Sequence, residues 1–135
     1  MIAAGKGGKI VTMSSTSGKR GIARYAAYCA SKFAIVGFTQ ALALELAPYR
    51  INVNAICPGY VDTDRVDRIA AATKTEGTST EEARKALIER VNAATPLGRI
   101  GHAEDVANMA AFLASSESDY VTGLSVIVSG GTVMT

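Results

Sequence analysis

A tyrosine and a lysine stand four positions apart in "YCASK", as Tyr28 and Lys32, in a run of small and apolar residues that continues "FAIVGFTQALALEL". Residues four apart on a helix share a face, so the phenol and the ammonium can approach each other. A free phenol holds its proton to about pH 10, too high for easy exchange near neutrality. A neighbouring ammonium favours the phenolate, the more so where water is scarce. Proton transfer in a reaction is most efficient when the group exchanges its proton near the working pH. Tyr28 beside Lys32 therefore reads as a tuned proton donor and acceptor. Ser15 precedes the pair at the end of a predicted strand, where α/β sheets present ligands. Its hydroxyl is positioned to hydrogen-bond a carbonyl or alcohol oxygen held by Tyr28. The plain alternative is a lysine that snorkels off an apolar helix beside an unrelated tyrosine. The pair alone does not separate these readings.

Such residues need elements to hold them. Residues 9–13, "KIVTM", are β-branched and preceded by glycines, which predicts a strand. The polar loop "SSTSGKRGIAR" follows, then a helix over 26–46 that stops at Ala47-Pro48, since the residue before a proline leaves the helical region. Apolar residues ring this helix almost completely. It is expected to be buried on several sides, by its own sheet and by a second subunit. "INVNAIC", residues 51–57, predicts a second strand halted by Pro58-Gly59. Strand, helix and strand within roughly 50 residues form a βαβ crossover with parallel strands. Residues 60–79 read as an irregular, charged and mobile lid with one short helix at 66–73. Ser79 and Glu82 make a capping box that opens a helix over 80–93. A further helix is predicted over 103–114, with His102 at its cap in a structural role. "LSVIVSGG" predicts the closing strand. This order implies a single α/β domain over residues 1–135.

Composition removes several function classes. The chain has 135 residues, 48% hydrophobic and 19% charged, an ordinary globular balance. A net charge of +2 without any basic run argues against nucleic acid. The apolar-rich stretch 33–47, broken by Thr39, Gln40 and Glu45, is expected to fall short of a membrane span. Cys29, Cys57 and the single histidine match no metal-ligand spacing, so no metal site is expected. Both thiols read as free, which suits the reducing cytoplasm, and "MIAAGKGGKIV" carries no signal-peptide pattern. "GKGGK" precedes a strand instead of following one, so it reads as a loop and not as a phosphate cradle.

Taken together, the motifs resemble a known family. "MSSTSGKRGIARYAAYCASK" is similar to the serine and Y-x-x-x-K signature of the classical short-chain dehydrogenases/reductases, in which the serine stands thirteen residues before the tyrosine, as Ser15 does before Tyr28. "NVNAICPGYVDT" resembles the family's N-x-x-x-P-G-x-V-x-T segment, and "PLGRIGHAEDVANMAAFLAS" with "DYVTGLSVIVSGG" resembles its last helix and strand. The resemblance implies a Rossmann-like parallel sheet with flanking helices, ordered 3-2-1-4-5-6-7, of which this chain supplies the last three strands. It also implies NAD or NADP as cofactor and hydride transfer between a secondary alcohol and a ketone. By the same resemblance Tyr28 is the acid/base, Lys32 supports it and bonds the nicotinamide ribose, and Ser15 orients the substrate oxygen. Pro58 and Gly59 shape the nicotinamide wall, while Val61 and Thr63 hold its carboxamide side. A homo-oligomer through helix 26–46 is expected. The family's glycine-rich phosphate loop, its selector of NAD or NADP and its catalytic asparagine have no counterpart in the sequence. The resemblance is therefore to the carboxy-terminal half, with Met1 expected to be internal and an amino-terminal half to be its partner. The alternative is an inactive fragment serving at most as an oligomerisation or scaffold module. Ser129 stands where the family often has aspartate, and neither the substrate nor the choice of cofactor is legible.

Overall fold

The computed structural model describes residues 1–134. Three strands, β1 (Gly8–Met13), β2 (Ile51–Pro58) and β3 (Ser125–Val128), form one parallel sheet in the order β1-β2-β3. The register runs from Gly8↔Ile51 to Met13↔Ile56 and from Ala55↔Ser125 to Pro58↔Val128. β2 is central, and Val53, Ala55, Ile56 and Cys57 are each 0% exposed, as a parallel strand covered on both faces requires. Its one deeply buried polar side chain is bonded through both its nitrogen and its oxygen. Asn54 donates from Nδ2 to the Val121 carbonyl (2.9 Å) and accepts at Oδ1 from the Leu124 N–H (3.0 Å), which fixes the approach to β3.

The crossover helix α1 (Ala26–Leu46) has the predicted bounds. Cys29, Thr39 and Ala43 face the sheet, and Ala43 packs with Ile51 and Val53. Thr39 gives its hydroxyl proton to the Ile35 carbonyl (2.7 Å), so in the 2.7 Å contact between Thr12 and Thr39 the donor is Thr12. The expectation of burial on several sides is not met within one chain. Phe33, Phe38 and Leu44 are 46%, 57% and 80% exposed, because a single sheet covers a single face of the helix. The expected shortfall as a membrane span needs correction too. Helix and following 3₁₀ turn together run Ala26–Tyr49, 24 residues with mean hydropathy 1.3, long and apolar enough by length and composition. The estimate from 33–47 left out the small residues of the first two turns. A packed core helix passes the same test, and this one is tied to the sheet along its length. Ser14 Oγ donates to the Lys32 carbonyl (2.8 Å), and the Thr12–Thr39 bond holds it two turns further on.

The remaining helices are α2 (Asp64–Thr73), α3 (Thr80–Ala94) and α4 (Ala103–Ala114). α2 begins two residues before the predicted short helix, so less of 60–79 is irregular than expected. Ser79 and Glu82 form the reciprocal capping box that opens α3. α2 and α3 share a small core of Val66, Leu87, Val91 and Ile100, and Arg84 bridges Asp62 and Asp67 at 2.6 Å each. α4 packs on the sheet, and Leu113 is its buried anchor. His102 is its N-cap residue, where Asp105 accepts from the His102 N–H (2.7 Å) and pairs in a fork with Arg99 (2.7 and 2.8 Å).

Candidate active site

The end of β1 leads directly into the site. The Ser14 N–H donates to the Ile56 carbonyl (2.8 Å), extending the ladder by one bond, and the chain then turns through a 3₁₀ turn, Thr16–Gly18. A Cβ at Gly18 would lie 2.6 Å from the Lys32 carbonyl oxygen, so glycine lets this loop run against α1. Ser15 caps the turn by accepting from the Ser17 N–H (3.1 Å). As an acceptor it keeps its own proton, which has no protein acceptor among the described residues.

Tyr28 and Lys32 lie one turn apart on α1. The Lys32 ammonium is 5.7 Å from the centroid of the Tyr28 ring and donates to the Met13 carbonyl (3.2 Å). Two of its three N–H groups remain for other partners. Among the described residues no hydrogen bond joins the Tyr28 hydroxyl to Lys32 or Ser15. The ring itself is held from two sides. Tyr25 meets it edge to face at 6.3 Å, and the Arg65 guanidinium lies over it at 4.6 Å.

The wall opposite comes from the end of β2 and the loop beyond it. A Cβ at Gly59 would come within 3.2 Å of the Ser129 backbone, so glycine eases the close approach of β2 to the end of β3. This gives Ser129 a structural task, which it extends by accepting from the Val133 N–H (3.3 Å). Val61 forms a single parallel bridge with Gly101. The Tyr60 carbonyl and the Asp62 N–H are both spent on Gly101, so the N–H and C=O of Val61 turn the other way. Thr63, at the N-cap of α2, has its hydroxyl 3.4 Å from the Val61 carbonyl.

Ser15, Tyr28, Lys32, Pro58, Gly59, Val61 and Thr63 all line one cavity of about 720 Å³. Three chain segments, brought together by parallel pairing, thus surround one volume. Its donor set suits the nicotinamide end of a dinucleotide: an ammonium with two open donors for ribose hydroxyls, and an outward-turned peptide unit beside a hydroxyl for an amide. Sequence reasoning missed Arg20 and Arg90 and weighed a substrate contact among the charges of "DTDRVDR" without singling out Arg65; all three line the cavity. Each stands among polar or charged neighbours, and spacing alone does not distinguish such an arginine from a solvated one. Cys29 and Cys57 are free and buried. Burial pushes the Cys57 thiol up despite its hydrogen bond with Ser14, which makes it a poor nucleophile. No cluster that could hold a metal ion occurs among the described residues.

The comparisons can be set beside this geometry. The model of the family described as Enoyl-(Acyl carrier protein) reductase matches residues 1–133. Sorbitol dehydrogenase of Cereibacter sphaeroides is 43% identical over 134 residues, covering 99% of this chain and 51% of that protein. Among solved structures, F189W actinorhodin polyketide ketoreductase with NADPH superposes with a TM-score of 0.85 at 41% identity, over 98% of this chain and 49% of that one. Carveol dehydrogenase from Mycobacterium avium in complex with NAD gives 0.85 at 32% identity, over 97% and 48%. The chain spans about half the length of the curated relatives it matches.

Proposed function

This chain belongs to the short-chain dehydrogenase/reductase family, and on that premise we propose that it is the catalytic half of an NAD(P)-dependent oxidoreductase interconverting a secondary alcohol and a ketone. The observation that carries the reading is the gathering of Ser15, Tyr28, Lys32, Pro58, Gly59, Val61 and Thr63 around one cavity. When bound, NAD or NADP supplies or accepts the hydride. In reduction the Tyr28 hydroxyl gives its proton to the ketone oxygen, and in oxidation it takes the proton of the alcohol. Ser15 donates its uncommitted proton to the same oxygen and so fixes which face of the carbon is exposed. Lys32, held by the Met13 carbonyl, faces the phenolate formed when the proton leaves and has two donors for ribose hydroxyls. The outward-turned Val61 backbone and the Thr63 hydroxyl would hold the carboxamide of the nicotinamide, with Pro58 and Gly59 as the wall beside it. Substrates of this class are polyols, hydroxysteroids and acyl-chain ketones.

The exposed apolar side chains of Phe33, Phe38 and Leu44 suit packing against a second copy, so we assign a homo-oligomer through α1. Two free buried thiols suit a cytoplasmic protein.

One observation favours a second reading for the chain by itself. The sequence contains no glycine-rich turn that follows a strand and opens a helix, the device that binds a dinucleotide pyrophosphate. Alone, it would be an inactive oligomerisation or scaffold module. Calorimetric titration with NAD and NADP, beside an assay over a panel of secondary alcohols, decides between the two. The polypeptide of residues 1–135 should give neither micromolar binding nor turnover, and the full-length protein should give both. Turnover by the short chain contradicts the second reading, and silence from the full-length protein contradicts the first.

A further inference from the structure

We infer that the cavity takes a substrate carrying a negatively charged group, a carboxylate or a phosphate ester, beside the reacting alcohol or ketone. This deepens the oxidoreductase reading and rests on it for the identity of the reacting group. Among the described residues four cationic side chains line the cavity, Arg20, Lys32, Arg65 and Arg90, and no aspartate or glutamate does. Of the nearby acids, Asp62 and Asp67 both pair with Arg84 outside the lining, and Asp64 lies outside the lining as well. None of the ion pairs among the described residues uses Arg20, Arg65 or Arg90. The three arginines also arrive from three separate elements: the loop after β1, the first turn of α2 and the last turns of α3.

Helix stability does not account for Arg65. It is the second residue of α2, where the helix dipole disfavours a cation and favours acids such as its neighbour Asp64. Its guanidinium is instead held over the Tyr28 ring at 4.6 Å, next to the proposed proton donor. Like charges facing one volume without a counter-ion raise the local potential and draw in an anion. A guanidinium fork fits a carboxylate or a phosphate in two parallel hydrogen bonds, which a neutral hydroxyl does not reproduce.

The test is equilibrium binding to the full-length protein, by calorimetry, of three probes with one carbon skeleton: a linear polyol, its terminal carboxylate and its terminal phosphate ester. Each is titrated with and without reduced cofactor, which prevents turnover. At least one anionic probe should bind ~10-fold or more tightly than the polyol, and the better anion identifies which charged group is taken. Arg65→Met and Arg90→Met should each weaken that anion by roughly 3–10-fold and leave the polyol within about 2-fold, while Arg65→Lys recovers part of the loss. Cofactor affinity should be unchanged. Equal affinity for the three probes overturns the inference. So do variants that lose affinity for NAD or NADP instead, since the arginines would then serve the cofactor's phosphates. Anion preference without turnover of any alcohol keeps this inference and removes the oxidoreductase reading. Turnover of neutral alcohols without anion preference does the reverse.

Discussion

The β1–α1–β2 unit and the α2–α3 pair both supply side chains to the cavity, but they are held by different means. In the first, Ser15 follows β1 and Tyr28 and Lys32 stand on a helix packed against a central strand whose residues 53–57 are almost completely buried. Ser14–Lys32 and Thr12–Thr39 add two specific hydrogen bonds between the β1 segment and the helix. In the second, Arg65 and Arg90 stand on two helices joined by four core side chains and one partly exposed ion-pair group around Arg84. The proton chemistry we propose thus sits on the more deeply buried part of the fold. The charges proposed to select the substrate sit on a small satellite core that can change without disturbing the sheet.

This difference can be broken on either side. Ile56→Ala, in the fully buried centre of β2, should destabilise the whole molecule by about 2–5 kcal/mol, read as a shift of the global unfolding midpoint in urea. An unchanged midpoint would mean that β2 is not the shared core. Leu87→Ala should cost less globally, about 2 kcal/mol, since its site lies at the edge of a small cluster that can relax. Its signature is hydrogen exchange, which should rise across α2 and α3 while β2 amides stay protected. Uniform loss of protection would show that the two regions form one cooperative unit.

The smallest expected effect is a pH dependence at the start of α4. The Arg99 guanidinium, then the His102 N–H, hold the Asp105 carboxyl well below the usual carboxylate range. A folded carboxyl that ionises more readily than the unfolded one contributes stability that is present above the unfolded value, about 3.9. That contribution is lost as pH falls below it. Unfolding midpoints measured between pH 6 and 3 should therefore fall less steeply in Asp105→Asn than in wild type. Parallel curves would show that the pair contributes nothing.

Most of the scaffold was legible because its signals are local. β-Branching after a glycine pair marks β1, Pro48 ends α1, and Ser79 with Glu82 opens α3. Ser15, Tyr28 and Lys32 could be singled out by type and spacing, and Pro58, Gly59, Val61 and Thr63 by the family resemblance alone; the fold brings all seven to one cavity. What escaped depends on partners distant in sequence. Whether Phe33 and Phe38 are covered depends on how many surfaces meet α1, which no periodicity reports. Arg65 and Asp67 look alike as charges in "DRVDR". Only the fold sends Asp67 to Arg84 and Arg65 to the Tyr28 ring. The task of Ser129 was equally hidden, since it lies in the close approach to Gly59.

The central claim, that α1 carries the proton transfer, is tested most directly by Tyr28→Phe in the full-length protein. The substitution keeps the ring that Tyr25 and Arg65 contact and removes only the hydroxyl. Steady-state turnover of the best alcohol substrate should fall by at least ~10²-fold, while cofactor affinity measured by fluorescence titration stays within about 2-fold of wild type. Turnover within a few-fold of wild type would contradict the account.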